Sequence, residues 1–352
     1  MAGSAPTQAE RAALERALAL APRGPRGQNP QVACVLLSPA GDVLAEGWHH
    51  GAGTPHAEVE ALAQAAPASV RGATAVVTLE PCNHTGRTGP CAEALLAAGV
   101  SRIVYAVADP GDASAGGAQR LAAAGVDVVH APDDRAEALV DDWRFAITHG
   151  RPRVTVKWAQ SLDGRAAAAD GTSQWITGPE ARAHVHAQRS LHDAIAVGTG
   201  TVLADDPRLT ARVARPDGTD DAEAPQPLPV VVGTRPVPSG ARLEAHPRAF
   251  VQVDGPPAEW LAALWRDRGI QTVYVEGGPT LASAIVAAGL CDRIHCYVAP
   301  TLLGGARTAV GDVGVASIAE QLLLDDVQVE ALGRDLLVTA TIRPAATAAK
   351  EG

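Results

Sequence analysis

Apolar and polar positions in the first 150 residues follow two periods. Residues 11–21 carry apolar side chains at helical spacing behind Thr7, with Glu10 three positions on, the signature of a capping box. Residues 32–37 are a short unbroken apolar run and predict a buried strand, Pro39-Ala40-Gly41-Asp42 a turn, and 43–48 the hairpin partner. A helix over about 58–65, a strand over 75–79, a Gly/Pro/Cys loop, a helix over about 92–98 and a strand over 103–107 follow. A further helix and a strand ending at Val129 lead to a helix closing near Thr148. Helices set between β-branched runs predict crossover connections and a mostly parallel inner sheet.

The pattern then restarts. Residues 149–153 read as a linker between a first domain over 1–148 and a second over 154–345, with 346–352 as a frayed tail. The second domain is predicted to hold strands at 154–158, 194–198, 229–233 and 272–275, and helices at 179–191 and 280–288. Residues 327–332 and 336–342 flank Gly333-Arg334-Asp335 as a closing hairpin. The acidic, Pro-rich stretch 215–227 has no periodicity and reads as a surface insertion.

Composition narrows the function. Two domains suit 352 residues, and 47% hydrophobic with 19% charged residues is a globular balance. A net charge of −10 and the lack of any Lys/Arg run speak against a nucleic-acid partner. No apolar run approaches the roughly 18 residues of a membrane span, and the first helix, broken by Glu15 and Arg16, is no signal peptide. A cytoplasmic protein with reduced thiols is expected, its five cysteines serving as ligands or packing residues.

Three clusters carry chemistry. His56 and Glu58 sit where a Gly-rich loop enters a helix, Cys82 follows the strand ending at Leu79, and Cys91 opens the next helix. One imidazole and two thiolates leave a tetrahedral Zn²⁺ one open position for water, and helix N-termini favour thiolate over thiol. Lowering the pKa of water from about 15.7 to about 7 is worth roughly 12 kcal/mol at about 1.36 kcal/mol per unit. Glu58, close to that water but off the metal, suits a proton shuttle. Taken singly, each residue reads better as an ordinary helix start or a core thiol; the ordered set His-Ala-Glu, Pro-Cys, Pro-Cys points to a metal. A structural zinc would bring a fourth protein ligand and has no use for Glu58. Cys34 reads as packing, and Cys291 and Cys296 have no predicted role.

In the second half, strand 273–275 and then Gly277-Gly278-Pro279-Thr280 opening a helix would let a pyrophosphate approach the backbone. Alone, the same residues are usually only a turn, and they are not the dinucleotide fingerprint. Lys157, one of two lysines in the chain, lies within an apolar strand and is a possible active-site cation.

Asn29-Pro30-Gln31-Val32-Ala33-Cys34-Val35, His56-Ala57-Glu58-Val59 and 80–91, followed by 157–165, 173–177, 201–207, 275–281 and 299–304, resemble the bifunctional riboflavin-biosynthesis deaminase–reductases. The likeness runs from about residue 10 to 343, with Ala33, Gly89 and Gly111 as small departures. The resemblance implies a cytidine-deaminase-like three-layer α/β/α domain followed by a dihydrofolate-reductase-like α/β domain. The first would deaminate 2,5-diamino-6-(5-phosphoribosylamino)pyrimidin-4-one with Zn²⁺. The second would reduce 5-amino-6-(5-phosphoribosylamino)uracil with NADPH.

Carried over by position, the resemblance makes His56, Cys82 and Cys91 the metal ligands and Glu58 the shuttle. It places Asn29, His84 and Arg87 at the deaminase substrate. NADPH contacts fall at Ala159, Trp175, Thr201, Asp205, Thr234, Gly278, Pro279, Thr280, Leu281, Ala282, Ser283 and Ala284. Reductase substrate contacts fall at Ser173, Arg189, Leu209, Arg212 and Glu276. The two arginines are natural forks for a phosphorylated sugar, and Thr234-Arg235 would suit a 2′-phosphate. A dimer through the second domain is the family expectation, with the apolar run 294–303 either a contributor or an internal strand. The alternative is a zinc deaminase whose second half has lost or changed its reductase role.

Overall fold

A computed structural model describes residues 4–84, 89–111, 114–215 and 219–343. The chain divides into two compact units, one reaching Gly150 and including Trp265–Gln271, the other Arg151–Leu264 with Thr272 onward. Arg87 and the tail at 346–352 lie outside the described residues. No described helix is long and apolar enough to cross a membrane.

The first unit begins with α1 (Gln8–Leu20), where Thr7 and Glu10 form the expected capping box. There follow β1 (Ala33–Leu37), β2 (Val43–Trp48), α2 (Ala57–Gln64), a short α3 (Pro67–Val70), β3 (Thr74–Leu79) and α4 (Cys91–Ala98). β4 (Arg102–Val107), α5 (Gly117–Ala123), β5 (Asp127–His130) and α6 (Asp134–His149) complete it. The strands stand in the order β2-β1-β3-β4-β5. β3, β4 and β5 are parallel, but β1 is antiparallel to both neighbours, so this sheet is mixed rather than mostly parallel. The cause is connectivity: the hairpin reverses β2, and the α2 crossover returns β3 in the direction of β2 on the far side of β1. Every residue of β1 is buried, and β3 is buried beyond its first. Such strands need cover on both faces, and α1 and α2 both pack against the sheet. α6 extends through His149, so only Gly150–Pro152 separates it from the next strand.

The second unit runs β6 (Arg153–Ser161), α7 (Pro179–Ser190), β7 (Ala194–Gly198), α8 (Thr199–Asp205), β8 (Leu228–Val232) and β9 (Val251–Val253). α9 (Pro257–Arg268), which crosses the unit boundary, then leads to β10 (Thr272–Val275), α10 (Pro279–Ala287), β11 (Arg293–Ala299), β12 (Leu324–Leu332) and β13 (Asp335–Ile342). The sheet order is β12-β13-β11-β6-β10-β7-β8-β9. It is parallel from β11 to β9 and antiparallel across the final hairpin.

The apolar run at 294–303 resolves into an internal strand. β11 lies between β6 and β13, and Ile294, Cys296, Tyr297 and Ala299 are buried. Pro300, Leu302 and Leu303, past its end, face solvent. Asp335, wholly buried at the start of β13, accepts a 2.5 Å hydrogen bond from the Gly178 N–H and caps α7, which has no local cap of its own. In the segment expected as a surface insertion, Asp220, Ala222 and Glu223 are exposed, and 216–218 lie outside the described residues.

Candidate functional site

Where β3 ends, the chain brings two helix N-termini together. His56 is the N-cap of α2, Cys82 lies three residues beyond β3, and Cys91 is the first residue of α4. The Ala92 N–H donates to the Cys82 carbonyl at 3.1 Å, which fastens the start of α4 to the loop. His56 Nδ1 stands 3.5 Å from Cys82 Sγ and 3.3 Å from Cys91 Sγ. All three ligand atoms fall within 4.8 Å of one another, and they are the one group among the described residues with metal-holding geometry. With Zn–S near 2.3 Å and Zn–N near 2.0–2.1 Å, such separations suit a single tetrahedral ion. The Cys91 N–H points at Cys82 Sγ from 3.4 Å. The Cys91 thiol, then His56 and this N–H, hold the Cys82 thiol down to about 4, while the same sulfur pairing and burial push Cys91 up. One imidazole and two sulfurs, one of them readily ionised, are a donor set that fits a divalent cation.

Glu58 lies in the first turn of α2 and is only 3% exposed. Burial is the main cause pushing its carboxyl up to about 7, and it also meets the Cys91 thiol. A carboxyl poised there exchanges protons readily at neutral pH.

Around this centre the sequence reading omitted two positioning residues. His49, buried at the end of the hairpin, has Nδ1 3.0 Å from the Pro55 carbonyl and Nε2 2.9 Å from Asn29 Nδ2. It therefore donates to the residue before His56 and accepts from Asn29, linking a predicted substrate contact to a ligand. Glu80 is buried and accepts from the Asp109 and Ala118 N–H groups at 3.2 and 3.0 Å, fixing the loop that presents Cys82. Each was visible as a polar residue directly after an apolar strand. His84 is half-buried, and its Nδ1 finds no partner among the described residues.

In the second unit Lys157 lies within β6, Arg189 near the end of α7 and Glu276 directly after β10. Arg189 Nε and Nη2 donate to Glu276 at 2.6 and 2.9 Å, and its Nη1 donates to the Thr210 carbonyl at 3.0 Å. The Arg189 fork is thus paired with Glu276. Burial alone would raise the Glu276 carboxyl, but Arg189 and then Lys157 hold it below its ordinary value. Lys157 Nζ lies 5.7 Å from the Tyr297 ring centroid, its pKa lowered by burial against the pull of Glu276. Arg212 is exposed and Leu209 is buried.

Ser173 and the strongly exposed Trp175 lie in the loop before α7, with the Arg182 guanidinium 4.8 Å from the Trp175 ring centre. Thr201 and Asp205 belong to α8, with Asp205 accepting from Gln174 Nε2 at 3.3 Å, and Thr234 is exposed beyond β8. Gly278 is the N-cap of α10, and a Cβ there would come within 4.0 Å of Thr201 Oγ1. The two stretches expected at a dinucleotide therefore lie side by side, with the N-terminus of α10 between them, an arrangement that fits the phosphates of NADPH. Of the predicted contacts on α10, Leu281, Ala282 and Ser283 are buried, and Thr280 and Ala284 are exposed. Ala159 packs beside Tyr274 and Tyr297.

Comparison with known proteins agrees with both centres. Residues 7–107 match the cytidine and deoxycytidylate deaminase zinc-binding region, and 152–338 match the RibD C-terminal domain. The chain is 47% identical over 325 residues to riboflavin biosynthesis protein RibD of Mycobacterium tuberculosis (strain CDC 1551 / Oshkosh), covering 91% of this chain and 93% of that protein. It is 41% identical to RibD of Escherichia coli strain K12, with 83% and 88% covered. Among solved structures, Acinetobacter baumannii RibD superposes with a TM-score of 0.77 at 37% identity, covering 96% of this chain and 99% of that one. A diaminohydroxyphosphoribosylaminopyrimidine deaminase/5-amino-6-(5-phosphoribosylamino)uracil reductase from Thermotoga maritima gives 0.72 at 28% identity, covering 95% and 99%. With a zinc-binding deaminase region in its first half and a reductase domain in its second, the chain belongs to the RibD family of bifunctional riboflavin-biosynthesis deaminase–reductases.

Proposed function

We propose that residues 1–148 remove the amino group of 2,5-diamino-6-(5-phosphoribosylamino)pyrimidin-4-one and residues 154–345 reduce the resulting ribosylaminouracil to its ribitylamino form. The observation that carries this reading is the approach of His56, Cys82 and Cys91 beside buried Glu58. His56 Nδ1 and the two sulfurs would hold zinc, which would supply Lewis-acid activation of water there. Glu58, buried beside these ligands, is the group that holds a proton and delivers it to the departing amine. Asn29, held by His49, orients the pyrimidine, and His84 and Arg87 complete its surroundings, His84 Nδ1 having no partner among the described residues.

NADPH supplies the hydride for the second reaction. Gly278, Pro279 and Thr280, with Thr201, Asp205, Trp175, Ala159 and Thr234, hold the cofactor. Ser173, Leu209, Glu276 and Arg212 meet the substrate, with Arg212 at the phosphate. Arg189, bonded to Glu276, completes the substrate contacts and, ahead of Lys157, keeps that carboxylate ionised. The enzyme is cytoplasmic, takes small phosphorylated pyrimidines rather than nucleic acid, and forms a homodimer through its reductase unit.

In Glu58→Gln, zinc content is expected to match the parent while ammonia release falls by about 10²–10⁴-fold; release at the parent rate overturns the shuttle. Oxidation of NADPH supplied with the deaminated intermediate tests the second half. No absorbance loss at saturating substrate would replace this reading by that of a deaminase with a repurposed partner domain.

A further inference from the structure

We propose that His186 is a positioning residue of the reductase, presenting the Arg212 guanidinium to the phosphate of the substrate. The inference rests on the reading of Arg212 as a substrate ligand. His186 lies on α7 three residues before Arg189. Its Nε2 stands 2.7 Å from Arg212 Nη2, and its Nδ1 stands 3.1 Å from the Thr210 carbonyl oxygen. A guanidinium has donors only, so Nε2 must accept and the ring proton sits on Nδ1, donating to Thr210. This arrangement requires a neutral imidazole. Burial, followed by the charges of Arg189 and Arg212, pushes the His186 ring down to about 4, which keeps it in that form.

The Thr210 carbonyl is a shared anchor. It receives Arg189 Nη1 at 3.0 Å as well as His186, so two side chains of α7 fasten one oxygen of the loop bearing Leu209 and Arg212. Leu209, buried just before it, takes the left-handed conformation at φ 58°, rarely adopted outside glycine. The outcome is a division of labour between two arginines. Arg189 is committed to Glu276 and Thr210, whereas Arg212 gives one N–H to a fixed ring and keeps its other donors. An exposed arginine otherwise samples many rotamers, and a rigid acceptor removes most of them before the anion arrives. Lys157, Arg189 and Arg212 against Glu276 leave this region of a −10 protein with an excess of positive charge.

The test is steady-state reductase kinetics on the full-length protein. His186→Gln retains one donor and one acceptor at similar reach, so the KM for the phosphorylated aminouracil should stay within about twofold. In His186→Leu that KM should rise about tenfold, as for loss of one oriented charged hydrogen bond, with kcat and the KM for NADPH within about twofold. Arg212→Ala should raise the substrate KM at least as much, and the double variant His186→Leu/Arg212→Ala no further, because the two residues act as one unit. Positioning by His186 is overturned by an unchanged KM in His186→Leu while Arg212→Ala raises it, by additive losses in the double variant, or by an equal rise in the KM for NADPH. An unchanged KM in Arg212→Ala instead removes the reading of Arg212 as substrate ligand.

Discussion

At the scale of single residues, local partners decide what each titratable group can do. Cys82 is the more acidic of the two sulfurs because the Cys91 thiol, His56 and a helix N-terminal N–H all favour its thiolate. A hydroxyl in its place is a poor zinc ligand, so Cys82→Ser should cut the metal-to-protein ratio measured by elemental analysis well below the parent, and an unchanged ratio would remove Cys82 from the ligand set. Glu58 owes its raised carboxyl pKa mainly to burial, so its environment rather than its type suits it to shuttle protons. Arg189 shows the reverse: a residue type ideal for phosphate is paired with Glu276, and the motif alone could not reveal that.

At the scale of elements, caps and close approaches set where those residues stand. Glu10 closes the capping box of α1 and also takes Arg102 Nε and Nη2 at 2.6 and 3.2 Å, with Arg102 reaching Asp127 as well. Burial would raise the Glu10 carboxyl, but Arg102 and Thr7 outweigh it and hold it below the ordinary 4.5. A carboxylate lowered on folding adds stability above its unfolded pKa and loses it as pH falls through the folded one. Thermal denaturation should therefore show the parent losing its advantage over Glu10→Gln as pH drops below about 4.5, from about 1–3 kcal/mol at neutral pH. A pH-independent gap between the two would show that ionisation of Glu10 is irrelevant. Gly117, the first residue of α5, touches the turn behind the metal ligands, and a Cβ there would overlap the Pro81 carbonyl. Gly117→Ala is expected to displace Cys82 and weaken zinc retention against a chelator by about tenfold or more. Retention equal to the parent would mean that the loop absorbs the overlap.

At the scale of the whole molecule, the same sheet that buries β11 leaves β12 at an edge. Ile318, Leu324, Val327, Val329 and Leu336 are exposed near or on the closing hairpin, an apolar surface that an isolated protein rarely tolerates. The homodimer proposed above would cover this hairpin rather than the largely buried strand at 294–299. Sedimentation should show a dimer for the parent and a monomer for Val329→Asp. A monomeric parent, or a variant that stays dimeric, would remove β12 from the interface.

Local signals determined the elements whose chemistry is written in neighbouring residues. The capping box of α1, the hairpin at 39–42, the turn before α10 and the order of His56, Glu58, Cys82 and Cys91 all depend on a few adjacent side chains. α9 also carried a readable start at Pro257 and apolar spacing at Trp260, Leu261 and Leu264, whereas seven-residue α8 has too short a period to register. Pairings between distant segments were decided only by the tertiary structure: the reversal of β1 within its sheet, the capping of α7 by Asp335, and the tethering of Arg212 by His186. Their partners lie far apart along the chain, and no local propensity or motif encodes a contact that forms only when two separate elements are folded against each other.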